Sequence, residues 1–103
     1  MNAPFRLRPA AERDLLRIGR WYHGEGGKSL AERFTFAARD AFVALADTPG
    51  LGPSADAKAV TLADARRWRI DGFPHHRIFY VPHREGGVTI LRILHTAQDW
   101  KQR

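Results

Sequence analysis

Near residue 65 the hydrophobic pattern of this chain changes period, from an apolar residue every three or four positions to alternation, and that change limits what it can fold into. Before it, Ala11, Leu15, Ile18 and Tyr22 recur at helical spacing from Ala10 to about His23, with Arg13, Arg17 and Arg20 outside. Gly24-Glu25-Gly26-Gly27 should end that helix, because so many glycines are costly to hold helical. Leu30, Phe34, Ala37, Ala41 and Leu45 carry a second helix to about Asp47. Ser29 is placed to cap it, with Glu32 completing a capping-box pattern, and Thr48-Pro49-Gly50 stops it. Two helices with a short Gly-rich connection predict an antiparallel αα-hairpin.

After the change, Ala65–Ile70 alternates, with Trp68 and Ile70 on one face and Arg67 and Arg69 on the other. Asp71-Gly72-Phe73-Pro74 makes a turn, Arg77–Val81 is apolar on both faces like a central strand, Glu85-Gly86-Gly87 turns again, and Val88–Leu94 forms the last strand. At the other end Phe5-Arg6-Leu7-Arg8 alternates, and Pro9 suits a first helical position. Residues 50–64 read as a connecting loop. The order is β-α-α-β-β-β. Strands joined by short turns are antiparallel, and the hairpin needs a sheet face to cover, so the expected fold class is α+β. It is a two-layer domain over residues 1–103, with the αα-hairpin packed on a largely antiparallel sheet.

An apolar content of 44% fills one core of this size. The absence of cysteine excludes disulfides, iron–sulfur clusters and thiolate zinc sites, and suits a cytoplasmic location. No stretch resembles a signal peptide or a membrane span, so no membrane partner is expected. The net charge of +6 suggests an acidic partner: nucleic acid, an acidic protein segment or a phosphorylated ligand.

Familiar chemical motifs fail on spacing or context. Gly27-Lys28-Ser29 resembles the end of a P-loop, but Tyr22 stands where that loop needs its first glycine, and a helix rather than a strand precedes it. His75 and His76 are neighbours that a strand would point to opposite faces, so with His83 they read as polar strand-end residues rather than metal ligands. Ser29 and Ser54 lie in no nucleophile elbow. As a DNA-reading helix-turn-helix, the hairpin has the wrong second helix, which is broadly apolar through Leu30, Phe34, Phe36, Phe42, Val43 and Leu45. No catalytic residue, metal or cofactor is expected.

The basic sheet is more informative. From Arg66 to Arg103 there are eight Lys/Arg against three acids, with four of the five histidines. Solvation accounts for Arg84, Lys101 and Arg103. Arg92, read as lying between Ile90 and Leu94 on one face of an apolar strand, needs either an ion-pair partner or a ligand.

These pieces, in this order, resemble the RelE/ParE family of bacterial type II toxins, with the ParE-like branch the better match. The first helix is similar to the family signature A-x-x-D-L-x-x-I through Ala11, Asp14, Leu15 and Ile18, followed by Trp21-Tyr22. The second helix ends in a similar L-x-x-x-P-x-L-G through Leu45, Pro49, Leu51 and Gly52. The strands match through Arg66–Pro74, Ile78-Phe79-Tyr80 and Ile90–His95. The resemblance implies a growth-arresting toxin held in a hetero-oligomer by a cognate antitoxin. RelE-like members cleave ribosome-bound mRNA, whereas ParE-like members are associated with poisoning of DNA gyrase.

Here the chain departs from the nuclease pattern. Where RelE-like chains continue H-R-x-x-x-Y, His95 is followed by Thr96-Ala97-Gln98-Asp99-Trp100. Thr96 supplies no fixed positive charge, and Trp100 has no hydroxyl to act as acid or base. This favours a gyrase inhibitor over a ribonuclease, although His75 or His76 as a base keeps mRNA cleavage open. Target contacts are expected at Arg67, Arg69, Arg77, Arg92, His95 and Trp100, and antitoxin contacts at Leu16, Trp21, Phe36 and Phe42. A non-toxic RNA-binding or interaction module would share the basic sheet or the apolar hairpin. Growth arrest reversed by the neighbouring gene product separates a toxin from both.

Overall fold

The computed structural model describes residues 5–55 and 64–96. Their elements are β1 (Phe5–Leu7), α1 (Pro9–Asp47), β2 (Arg66–Arg69), β3 (His76–Pro82) and β4 (Val88–His95). Helical turns run throughout α1 except at Gly27, whose φ of 80° and ψ of −171° are non-helical. A straight helix of 39 residues would measure about 58 Å. The molecule's longest dimension is 39 Å, and the Tyr22 ring lies 5.2 Å from that of Phe34. The helix therefore folds back on itself as two limbs, 9–26 and 28–47.

This is the expected αα-hairpin with a tighter turn than the glycines suggested. Gly24 and Gly26 remain helical, and only Gly27 leaves the helix, in a backbone region that side chains rarely enter. Gly27 thus takes the capping position of the second limb, and Ser29 already lies inside it.

The sheet order is β1-β4-β3-β2. β2 and β4 each pair antiparallel with β3, while β1 runs parallel to β4 because the hairpin carries the chain across the sheet between them. The two halves of the helical hairpin cover one face. Between them and the sheet are buried Phe34, Leu45, Ile70, Ile78, Tyr80, Ile90 and Ile93, with Ile18, Tyr22 and Phe42 at the margins. Phe79, Leu91 and Leu94 are also buried but stand outside this core.

A β-bulge corrects the expected placement of Arg92. Pairing steps from Phe79↔Arg92 to Tyr80↔Ile90, leaving Leu91 in excess. Ile90 therefore shares the helix-covered face with Tyr80. Arg92 and Leu94, paired with Phe79 and Arg77, belong to the opposite face.

Side chains of the sheet tie down the segment after the helix, Arg66 at the Gly52 carbonyl and Tyr80 at two points. The Tyr80 hydroxyl accepts a hydrogen bond from the Gly52 N–H at 2.9 Å and donates to the Pro49 carbonyl at 2.9 Å. A Cβ on Gly52 would collide with the Arg67 carbonyl oxygen. Among the described residues, no helix is long and apolar enough to cross a membrane.

Candidate functional site

Four of the predicted contact residues share the face of the sheet opposite the helices. Cross-strand register puts Arg67, Phe79 and Arg92 in one row, and Arg69, Arg77 and Leu94 in the next. Each arginine is also engaged within the chain. Arg67 donates to the Ser54 carbonyl at 3.2 Å, and Arg77 to the carbonyls of Pro74 and His76 at 2.8 and 3.1 Å. Arg69 pairs with Asp71 at 3.3 Å and stacks over the Trp68 ring.

Arg92 is the most constrained. β1 pairs with β4 only as far as Ile90, so the edge of β4 is open beyond that point. Asp14, buried on the first limb, fills the gap. Its carboxylate accepts the Ile93 N–H at 2.9 Å and takes Arg92 in a two-point contact, Nε at 2.7 Å and a second guanidinium nitrogen at 3.0 Å. Arg17 adds a longer contact at 3.2 Å. The hydrogen bond to Asp14 raises the Arg92 pKa further, despite partial burial. The structure thus gives Arg92 the ion-pair partner that its place in an apolar strand called for.

His95 separates from the arginines. It pairs with His76 on the helix-covered side, where β3 and β4 meet the first limb. There its ring stacks parallel to His75, with centroids 5.7 Å apart, and meets His76 edge-on at 5.3 Å. The Tyr22 hydroxyl bonds His76 Nδ1 at 3.3 Å. Together with Arg17, Ile18 and Trp21, these side chains line a cavity of about 280 Å³. Burial pushes the His76 pKa down from 6.5 to about 4, helped by repulsion from His95, His75 and Arg17. His76 is thus neutral at physiological pH. The described residues hold no group of three or more ligands arranged for a metal ion.

A second cavity, of about 500 Å³, shares Arg17 with it. Arg13, Arg20 and Arg92 line it around Asp14. Sequence reasoning placed Arg13, Arg17 and Arg20 on an exterior helix face and gave them no role. Their spacing down one side of the limb was the available signal.

Of the residues assigned to antitoxin contact, Leu16, Trp21 and Phe36 are exposed. Phe42 is a correction: it is buried in the core against the ring of Phe5 and offers a partner almost no surface. Its place in the helical period could not show whether it faced the sheet or a partner. Trp100 lies outside the described residues.

A family model described as the ParE toxin of the type II toxin–antitoxin system parDE matches residues 5–100. The chain belongs to this family. No individual curated protein gives a significant match. Among solved structures, a chain of the chromosomal ParDE TA system from P. aeruginosa is 15% identical with a TM-score of 0.71, covering 88% of this chain and 92% of that one. At that identity the likeness is one of fold.

In this ParE-family chain, the residues that carried the resemblance have physical roles. Ala11, Asp14 and Ile18 are the buried stripe of the first limb, and Asp14 closes the β4 edge. Leu45 is fully buried, while Pro49 and Gly52 receive the Tyr80 clamp.

Proposed function

We propose that this ParE-family toxin arrests growth in the cytoplasm by inhibiting DNA gyrase, and that a cognate antitoxin neutralises it in a hetero-oligomer. The reading rests above all on the family match across residues 5–100. Two features of the chain support gyrase over mRNA as the target. Thr96 follows His95 where the nuclease pattern has an arginine. Trp100 also stands where that pattern has a tyrosine, and it has no hydroxyl to act as an acid or base. The antitoxin reading is supported by Leu16, Trp21 and Phe36, exposed on a basic protein that suits an acidic, apolar segment folding on contact.

Adding the purified toxin to gyrase supercoiling and to ribosome-dependent mRNA cleavage, side by side, tests the target. Loss of supercoiling with accumulation of gyrase–DNA cleavage complexes is expected. The second reading, a ribosome-dependent endonuclease, is favoured by one observation, the convergence of His75, His76 and His95 beside Tyr22. A pKa near 4 makes His76 a weak base at neutral pH. Efficient A-site cleavage that disappears in the His75→Ala, His76→Ala double variant would overturn the gyrase assignment.

A further inference from the structure

The larger of the two cavities beside the first helical limb is lined by Arg13, Arg17 and Arg20, which neither reading above uses. Arg13, Arg17, Arg20 and Trp21 follow one another at helical spacing and so share a side of the limb. The larger cavity opens on the arginines, the smaller on Trp21 and the histidines, and Arg17 lines both. At about 500 Å³ the larger alone is within the range of small-ligand sites.

Charge and hydrogen-bonding capacity narrow the ligand. Four guanidiniums, of Arg13, Arg17, Arg20 and Arg92, surround a single carboxylate, Asp14. That carboxylate is already taken by Arg92, Arg17 and the Ile93 N–H. Arg13 and Arg20 are exposed and form no ion pair among the described residues. The arginine end of the cleft therefore offers donors and almost no spare acceptor. A phosphate brings only acceptors, whereas a peptide also brings N–H groups that would lack partners here. At the other end Trp21 is 58% exposed and is held edge-on by Tyr22 at 4.9 Å, which leaves much of its indole open to stacking.

We infer that this side of the first limb binds a nucleoside phosphate, with the phosphate among Arg13, Arg17 and Arg20 and the base against Trp21. The unit can be a free nucleotide or part of a single strand, since both present the same phosphate and ring. The inference does not depend on gyrase being the target.

Fluorescence anisotropy with antitoxin-free toxin tests it. The probes are a labelled oligothymidylate for a strand, unlabelled dTMP and ATP as competitors for a free nucleotide, and a labelled polyglutamate as an acidic peptide. Binding of the oligothymidylate should weaken as salt rises. In the Arg13→Ala, Arg20→Ala double variant the log–log salt slope should fall by about 1.4, at roughly 0.7 for each phosphate no longer neutralised. Trp21→Ala should weaken binding about 5- to 150-fold and leave the slope nearly unchanged. Arg84→Ala, in the β3–β4 turn, should change little. Displacement by dTMP or ATP would assign the site to free nucleotides, and oligothymidylate binding without displacement would assign it to strands. Absence of binding to any nucleotide probe, binding that both cleft variants leave unaltered, or binding of polyglutamate alone would overturn the inference.

Discussion

Replacing Arg92 with alanine separates a structural ion pair from a target contact. Arg92 makes two charge-assisted hydrogen bonds to Asp14, which is only 4% exposed on its side chain. Breaking a fully buried pair costs about 3–5 kcal/mol, because the remaining charge is left uncompensated. Two features reduce that figure. The Arg92 side chain is 35% exposed, so solvent screens part of the attraction. Asp14 also keeps Arg17 and the Ile93 N–H after the change. We expect Arg92→Ala to destabilise the fold by about 2–3 kcal/mol, and Asp14→Ala by more, since it orphans a strand N–H as well as two guanidiniums. For a domain of this size, Arg92→Ala should lower the melting temperature by about 10–20 °C. Urea denaturation of both single variants and the double variant, combined as a double-mutant cycle, would show a coupling energy of at least about 1 kcal/mol. An Arg92→Ala protein melting within a degree or two of the parent, with no coupling to Asp14, would refute the ion-pair account.

His76 links stability to pH. Its folded pKa of about 4 lies below the ordinary 6.5, so between these values the unfolded chain binds the extra proton. Its contribution is fully present above pH 6.5 and lost as pH falls toward 4, by about 3 kcal/mol. The groups facing it are Tyr22, Arg17, His75 and His95. Denaturation of parent and His76→Gln across pH 4–8 should show the difference between them shrinking as pH falls, and a constant difference would exclude the linkage. Tyr80→Phe should cost about 1–3 kcal/mol by leaving the Gly52 N–H and Pro49 carbonyl without their partner, and Gly52→Ala should be worse because its methyl collides with β2 backbone. Gly27→Ala should cost about 1–3 kcal/mol by forcing a side chain into a glycine-only backbone region, while Gly24→Ala, inside the helix and clear of neighbours, should be neutral or stabilising. Thermal melts of the two glycine variants give this comparison directly. Calorimetric titration with the antitoxin should give a strongly negative heat-capacity change, and a value near zero would argue against apolar burial on the hairpin.

The layers of this fold were legible because periodicity and turn chemistry agreed at each element. Gly-x-Pro and Gly-Gly turns separated the last three strands, and two helical periods flanked a cluster of glycines. Gly27 could not be singled out, because a glycine's φ is set by the packing of the limbs it joins. The face of Arg92 was misread for a related reason. Alternation assumes a regular strand, and the bulge at Leu91 is an outcome of pairing with β3. Asp14 entered as part of a family signature, yet its partner is 78 positions away and no local pattern connects them. The histidine cluster was hidden similarly: His75 and His76 did look divergent along one strand, and it is His95 from the neighbouring strand that draws them together.

The placement of β4 has a consequence for how the protein comes into being on the ribosome. Residues 88–95 are synthesised after every other described strand, yet β1 and β3 both pair with them and Asp14 waits for them. Until they emerge, the nascent chain has the sequence of the helical hairpin and of the β2–β3 ribbon but no β4 to join β1 to β3. Such non-local closure makes folding slow and nearly all-or-none. The toxin therefore acquires its assembled surface only once residues 88–95 have been made, and an antitoxin that reads the hairpin and sheet together has nothing complete to recognise before then.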